Sequence, residues 1–81
     1  MLSEEKREKQ FIRSMGKKIK YIRLSKGMKQ NEIAYRCNFD KSSFSNIEAG
    51  KRNITILSLY KIANALEVPL SIFFEDLEVE I

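Results

Sequence analysis

The chain has 81 residues, 43% hydrophobic and 32% charged, which fits one small folded core and excludes a disordered or membrane-spanning composition. It has no histidine and a single cysteine, so the side chains that most often supply general bases, zinc sites and disulfides are missing and catalysis is disfavoured. The net charge of +4 is unevenly spread: residues 1–30 hold ten basic and three acidic side chains, residues 31–53 four and three, and residues 54–81 one lysine against five acids. One end suits a polyanion and the other does not.

Met1 to Gln10 is charged throughout and has no apolar targeting segment, and the apolar run Ile72-Phe73-Phe74 is far too short to span a bilayer. A cytoplasmic location with no membrane partner is expected. Ser3 followed by Glu4 and Glu5 predicts a helix start, and Phe11, Met15, Ile19 and Ile22 then recur on one face of a helix running to about Lys26, where Gly27 ends it. A short second helix is predicted from Gln30 to Cys37, with Ile33, Ala34 and Cys37 inward; Cys37 reads as core filler rather than a reactive thiol. Asn38 tolerates a left-handed turn, and Asp40 is an N-cap for a third helix from Lys41 to Ala49 that buries Phe44 and Ile47. After Gly50 and the loop at 51–54, Thr55 caps a fourth helix with Ile56, Leu59, Ile62, Ala63 and Leu66 on one side. Pro69 opens a fifth helix through Phe74. Residues 77–81 alternate apolar and acidic, which fits a short strand. The expected fold is therefore an all-α, five-helix domain with a possible C-terminal strand.

Two short helices joined by a tight turn, the second capped by Asp40 and polar outward, form a helix-turn-helix. In that motif the second helix enters the DNA major groove while the first crosses the backbone. The stretches that surround it are Ile19-Lys-Tyr-Ile-Arg-Leu-Ser-Lys-Gly-Met-Lys-Gln-Asn-Glu-Ile-Ala34, Ser45-Asn-Ile-Glu-Ala-Gly-Lys-Arg52, Leu59-Tyr-Lys-Ile-Ala-Asn-Ala-Leu-Glu-Val68 and Phe73-Phe74. Together they resemble the Xre family of bacterial and phage regulators, the fold of the phage Cro and repressor DNA-binding domains. The family-like core covers 15–75 of a single domain at 1–81, with a helical extension at 4–14 and a C-terminal extension at 76–81. The Arg52-Asn53-Ile54-Thr55 run, the length and the single-domain layout are similar to controller proteins of restriction-modification systems.

The resemblance implies roles for particular residues. Arg23 and Glu48 correspond to a partly buried ion pair, against the alternative of two independent surface charges. Lys41, Ser42 and Asn46 match base-reading positions, with Ser43 and Ser45 at their edges; lysine donates to guanine and asparagine pairs with adenine, each good contact contributing roughly 1–3 kcal/mol of discrimination. The competing view is that a serine-rich helix face is merely solvated. Lys51, Arg52 and Asn53 would grip phosphate from the loop after Gly50, with Lys29 and Gln30 on the other flank at the positive end of the second helix. Lys29 stands where the family usually places a capping Ser, Thr or Asn, Asn38 replaces the common turn glycine, and Ile54 replaces a frequent proline.

One recognition helix covers only a few base pairs, so a homodimer on a pseudo-palindrome of double-stranded DNA is expected. Ile72, Phe74, Leu77, Val79 and Ile81 are the candidate interface; the alternative is that some fold back on the first helix, near Phe11 and Ile12. The function expected is a sequence-specific transcriptional regulator, not an enzyme, with no cofactor, metal or small-molecule ligand. The alternative is an antitoxin-type interaction module, disfavoured because few residues follow the fifth helix.

Overall fold

Among the described residues four α-helices follow one another through short connections: α1 Glu4–Ser25, α2 Gln30–Cys37, α3 Lys41–Glu48 and α4 Ile56–Leu66, and a 3-10 turn, Leu70–Phe74, follows α4. The structure is a computed structural model and describes residues 3–76. Three of the four helix starts are held by a side chain that accepts an otherwise unpaired backbone N–H. Ser3 Oγ accepts from Lys6 at 3.2 Å, Asp40 Oδ1 from Ser43 at 2.7 Å and Thr55 Oγ1 from Ser58 at 3.0 Å. The turns are set as locally. Asn38 ends α2 in the left-handed conformation, φ 59°, which its short polar side chain tolerates, and the Phe39 N–H returns to the Ala34 carbonyl at 2.8 Å.

The core is assembled from every element. Ile19 of α1, Ile33 of α2, Phe44 of α3, Ile62 and Leu66 of α4 and Phe73 of the 3-10 turn are the largest fully buried side chains. α2 packs against α3 and α4, α1 lies across α3, and the 3-10 turn fills the space between α1 and α4. Arg36 of α2 reinforces the α2–α4 contact from the surface by donating to the Ala65 carbonyl at 3.0 Å, and it also donates to Glu32 within its own helix at 3.2 Å. Cys37 is buried beside these helices, and burial pushes its thiol pKa up, with Lys61 opposing the shift weakly. It packs as a small apolar side chain.

The structure corrects the sequence reading in three places. The expected fifth α-helix is a five-residue 3-10 turn. Pro69 supplies the extended residue before it, but the backbone is extended again at Glu75, and so short a segment favours the tighter winding that carries Phe73 into the core. Ile56, expected on the core face of α4, is 67% exposed in the first turn of that helix, where Leu57 is exposed as well. Phe11 is likewise 40% exposed, one turn before the point where α1 meets α3. No strand occurs among the described residues, and the strand expected at 77–81 lies outside them.

Candidate nucleic-acid interface

Everything that could meet a polyanion depends on how α3 is held, and its C-terminal end is held by charge. Arg23 and Glu48 are 6% and 5% exposed. The Arg23 guanidinium donates from Nε to Glu48 Oε2 at 2.6 Å and from Nη2 to Oε1 at 3.0 Å, a two-pronged pairing, and its Nη1 donates to the Met28 carbonyl at 2.8 Å. Gln30 Nε2 completes the set by donating to Glu48 Oε1 at 2.8 Å. One carboxylate at the last residue of α3 is thereby tied to α1, to the turn before α2 and to the first residue of α2.

Close backbone approach supplies the second constraint. A Cβ built on Gly16 would lie 2.5 Å from the Ile47 carbonyl oxygen and 2.6 Å from that of Glu48, so only glycine lets α1 cross the end of α3 at this distance. Gly50 has φ +72°, and a Cβ there would lie 2.8 Å from both Cα and Cγ of Arg13. α1 therefore touches in succession the loop after α3, the last turn of α3 and, through Arg23, the start of α2.

On this frame α3 presents Lys41, Ser42 and Asn46 exposed, with Ser45 half-buried beside them. Ser42 and Asn46, like Lys41 and Ser45, are four residues apart and so share one side of the helix. The Ser42 hydroxyl donates to Asp40 Oδ1 at 2.8 Å, which leaves its oxygen available as an acceptor. Ser43 is placed differently: it is half-buried and lines a cleft with Phe39, Ile47, Arg52, Ile54 and Thr55. Lys51, Arg52 and Asn53 are all exposed in the loop that borders this cleft. Lys29 is exposed at the start of α2 and forms no side-chain cap there, while its carbonyl accepts from the Glu32 and Ile33 N–H groups at 3.1 and 3.2 Å. Ile72 is half-buried against the core and Phe74 is exposed, whereas Leu77, Val79 and Ile81 lie outside the described residues.

Asp40 caps α3 as an exposed carboxylate. The backbone N–H of Ser43 holds its pKa below the usual value of 3.8, assisted by the hydroxyls of Ser42 and Ser43 and by the charge of Arg52. A depressed carboxylate pKa adds stability that is present above the ordinary carboxylate range and is lost as pH falls through the native value. The charged cap is therefore intact near neutrality and weakens as pH falls below the ordinary carboxylate range. Asp40→Ala is expected to lower the midpoint of thermal unfolding at pH 7 by a few degrees, and Asp40→Asn, which keeps a capping oxygen, by less. The difference between Asp40→Ala and the parent should shrink in acid below the native pKa.

The sequence pattern of the helix-turn-helix family matches residues 19–73, spanning α2, the turn and α3 with the segments that brace them. The chain belongs to the helix-turn-helix family. Its resemblance to Xre regulators is shared with named relatives. A Mycoplasma protein, control protein C.MunI, is 38% identical over 66 residues, which are 80% of this chain and 89% of that protein. Control protein C.BamHI of Bacillus amyloliquefaciens is 41% identical over 54 residues, 65% of this chain and 67% of its own. Among solved structures, the restriction-modification controller protein C.Esp1396I, described as a tetramer in complex with its natural 35 base-pair operator, superposes with a TM-score of 0.76 at 45% identity, covering 83% of this chain and 88% of that one.

Several parts of this helix-turn-helix frame were not singled out from sequence. Gly16 was one, although a glycine inside a helix costs up to about 1 kcal/mol relative to alanine and so marks a reason for its presence. The seating of Arg13 on Gly50 and the Gln30–Glu48 hydrogen bond are others, and the Met28 carbonyl as an Arg23 acceptor has no signature in side-chain identity. No helix among the described residues is long and apolar enough to cross a membrane.

Proposed function

We propose that this helix-turn-helix protein is a transcriptional regulator of the restriction-modification controller type, acting as a homodimer on a pseudo-palindromic double-stranded operator. The observation that carries the proposal is α3: a capped helix whose outward side offers Lys41, Ser42 and Asn46, braced at its far end by a buried ion pair, in a fold shared with operator-binding C.Esp1396I. Lys41, Ser42, Ser45 and Asn46 read base edges in the major groove, with Ser43 at the margin. Lys29 and the positive end of α2 take phosphates on one flank; Lys51, Arg52 and Asn53 take them on the other. Gln30 serves both sides, bonded through one amide hydrogen to Glu48 with its second hydrogen free to donate outward.

Two-fold symmetry requires a self-complementary patch. Phe74 of the 3-10 turn is exposed together with Ile56, Leu57 and Tyr60 of α4, the helix on which that turn packs. These exposed apolar side chains extend the candidate seam from Ile72 and Phe74 to α4, and the dimer they would form suits an operator whose half-sites lie about 34 Å apart.

The deciding experiment is selection of bound sequences from a random duplex pool. An enriched palindrome is expected, and no enrichment would remove the proposal. With the selected operator in hand, Arg52→Gln and Lys29→Gln should weaken binding to all sequences alike and each flatten the dependence of log K on log salt by about 0.9. Lys41→Ala and Asn46→Ala should instead cost about 1–3 kcal/mol on the selected site alone and relax its sequence preference. A monomer mass at micromolar concentration would contradict the dimer.

A further inference from the structure

From Lys9 to Asn31 the chain carries eight basic side chains and no acidic one, and most of that run is α1. Only part of it has been given work. Arg23 is committed to Glu48, and Lys9 pairs with Glu5 at 3.3 Å on the surface. Arg13, Lys17 and Lys20 are exposed and, among the described residues, form no ion pair with any carboxylate. A run of like charge on one helix lowers stability by self-repulsion, so its retention beside a loop that is itself basic calls for a partner of opposite sign.

The placement says where that partner lies. The α1 backbone at Arg13 sits directly against Gly50, immediately before Lys51 and Arg52. Ten residues further along, Arg23 donates to the Met28 carbonyl just before α2 and shares the Glu48 carboxylate with Gln30, the first residue of α2. At about 1.5 Å rise per residue those ten residues span roughly 15 Å, close to the width of about 12 Å of a B-DNA major groove. α1 thus bridges the two flanks on which phosphates are expected, with one end at α2 and the other at the Gly50 loop.

We infer that Arg13 and Lys17, at the Gly50 end of α1, bind the phosphodiester backbone of the strand gripped by Lys51, Arg52 and Asn53. The inference rests on the proposed DNA-binding role and extends it to a part of α1 that precedes the matched segment at residue 19. The chemistry is charge pairing, in which each phosphate neutralised releases condensed counterions, and it is independent of sequence.

The test uses the full chain and a short fluorescent duplex of mixed sequence, titrated across a series of salt concentrations. Arg13→Gln combined with Lys17→Gln should flatten the slope of log K against log salt by about 2, with the thermal midpoint not lowered, and Arg13→Lys with Lys17→Arg should restore it. Lys61→Gln, on α4 away from this end, measures the effect of net charge alone, and Arg52→Gln tests the underlying reading. If Arg52→Gln flattens the slope and the α1 pair does not, the inference fails while the DNA-binding reading stands. A failure of Arg52→Gln as well would bring down both. Equal slopes for the α1 pair and for Lys61→Glu, which lowers the net charge by the same two units, would show a general charge effect and also overturn the inference.

Discussion

Glu48→Ala is expected to be among the most damaging single substitutions in this chain, lowering stability by about 3–5 kcal/mol. The truncation leaves the Arg23 guanidinium 6% exposed with Nε and Nη2 unpaired, and it strips the Gln30 amide of its acceptor. Against a total stability of about 5–15 kcal/mol for a small domain, such a loss brings the folded state near its threshold. Arg23→Ala should cost a similar amount for the converse reason, a buried carboxylate left with one amide donor. The attraction within the pair is not the quantity being lost; the cost lies in the surviving charge. Replacing both residues with apolar ones of similar size, Arg23→Met with Glu48→Leu, should therefore recover much of the stability in urea unfolding. That double variant separates two roles. If it regains stability but still binds operator weakly, the pair acts by setting the angle between α3 and α1; recovery of both would mean that packing alone orients α3.

The architecture around this pair was legible in sequence to the extent that it is written in local chemistry. Asp40, Thr55 and Ser3 cap helices because a short side-chain oxygen satisfies a nearby N–H whatever the rest of the chain does. Asn38 turns the chain because its own backbone tolerates positive φ. Features that depend on distant neighbours were less visible. Apolar spacing placed Ile56 with Leu59 and Ile62, but spacing does not reveal which turns of a helix meet a neighbour, and Ile56 in the first turn of α4 is exposed while Leu59 and Ile62 are buried. Pro69 and the apolar residues after it marked a helical segment, whereas its 3-10 winding follows from the depth at which Phe73 must sit. Polar faces have the same ambiguity at the interface: Ser42 and Ser43 are adjacent and alike in sequence, yet one lies on the outward side of α3 and the other lines the cleft beside Arg52. Only helix phase and the position of the following loop distinguish them.

Gly16→Ala is the second large effect expected, and here two opposing terms must be weighed. In an isolated helix the change is favourable by up to about 1 kcal/mol. In this fold the new methyl would fall 2.5 and 2.6 Å from the Ile47 and Glu48 carbonyl oxygens, well inside contact distance, and both obstacles are backbone atoms of α3 with no rotamer to yield. Overpacking of that kind costs about 1–3 kcal/mol when the backbone can shift, so strain outweighs propensity and a net loss of about 1–2 kcal/mol is expected. The shift that relieves it moves the end of α3 away from α1, stretching the Arg23–Glu48 bonds that close the same contact. Operator affinity should therefore fall by more than the stability change accounts for, and Gly16→Val, bulkier and β-branched, should be worse on both measures. Because the glycine contact and the ion pair constrain one displacement, Gly16→Ala and Glu48→Gln should be less than additive in a double-mutant cycle. A rise in thermal midpoint for Gly16→Ala, with affinity unchanged, would mean that α1 does not fix the position of α3 at this crossing, and the bracing role assigned to it would have to be abandoned.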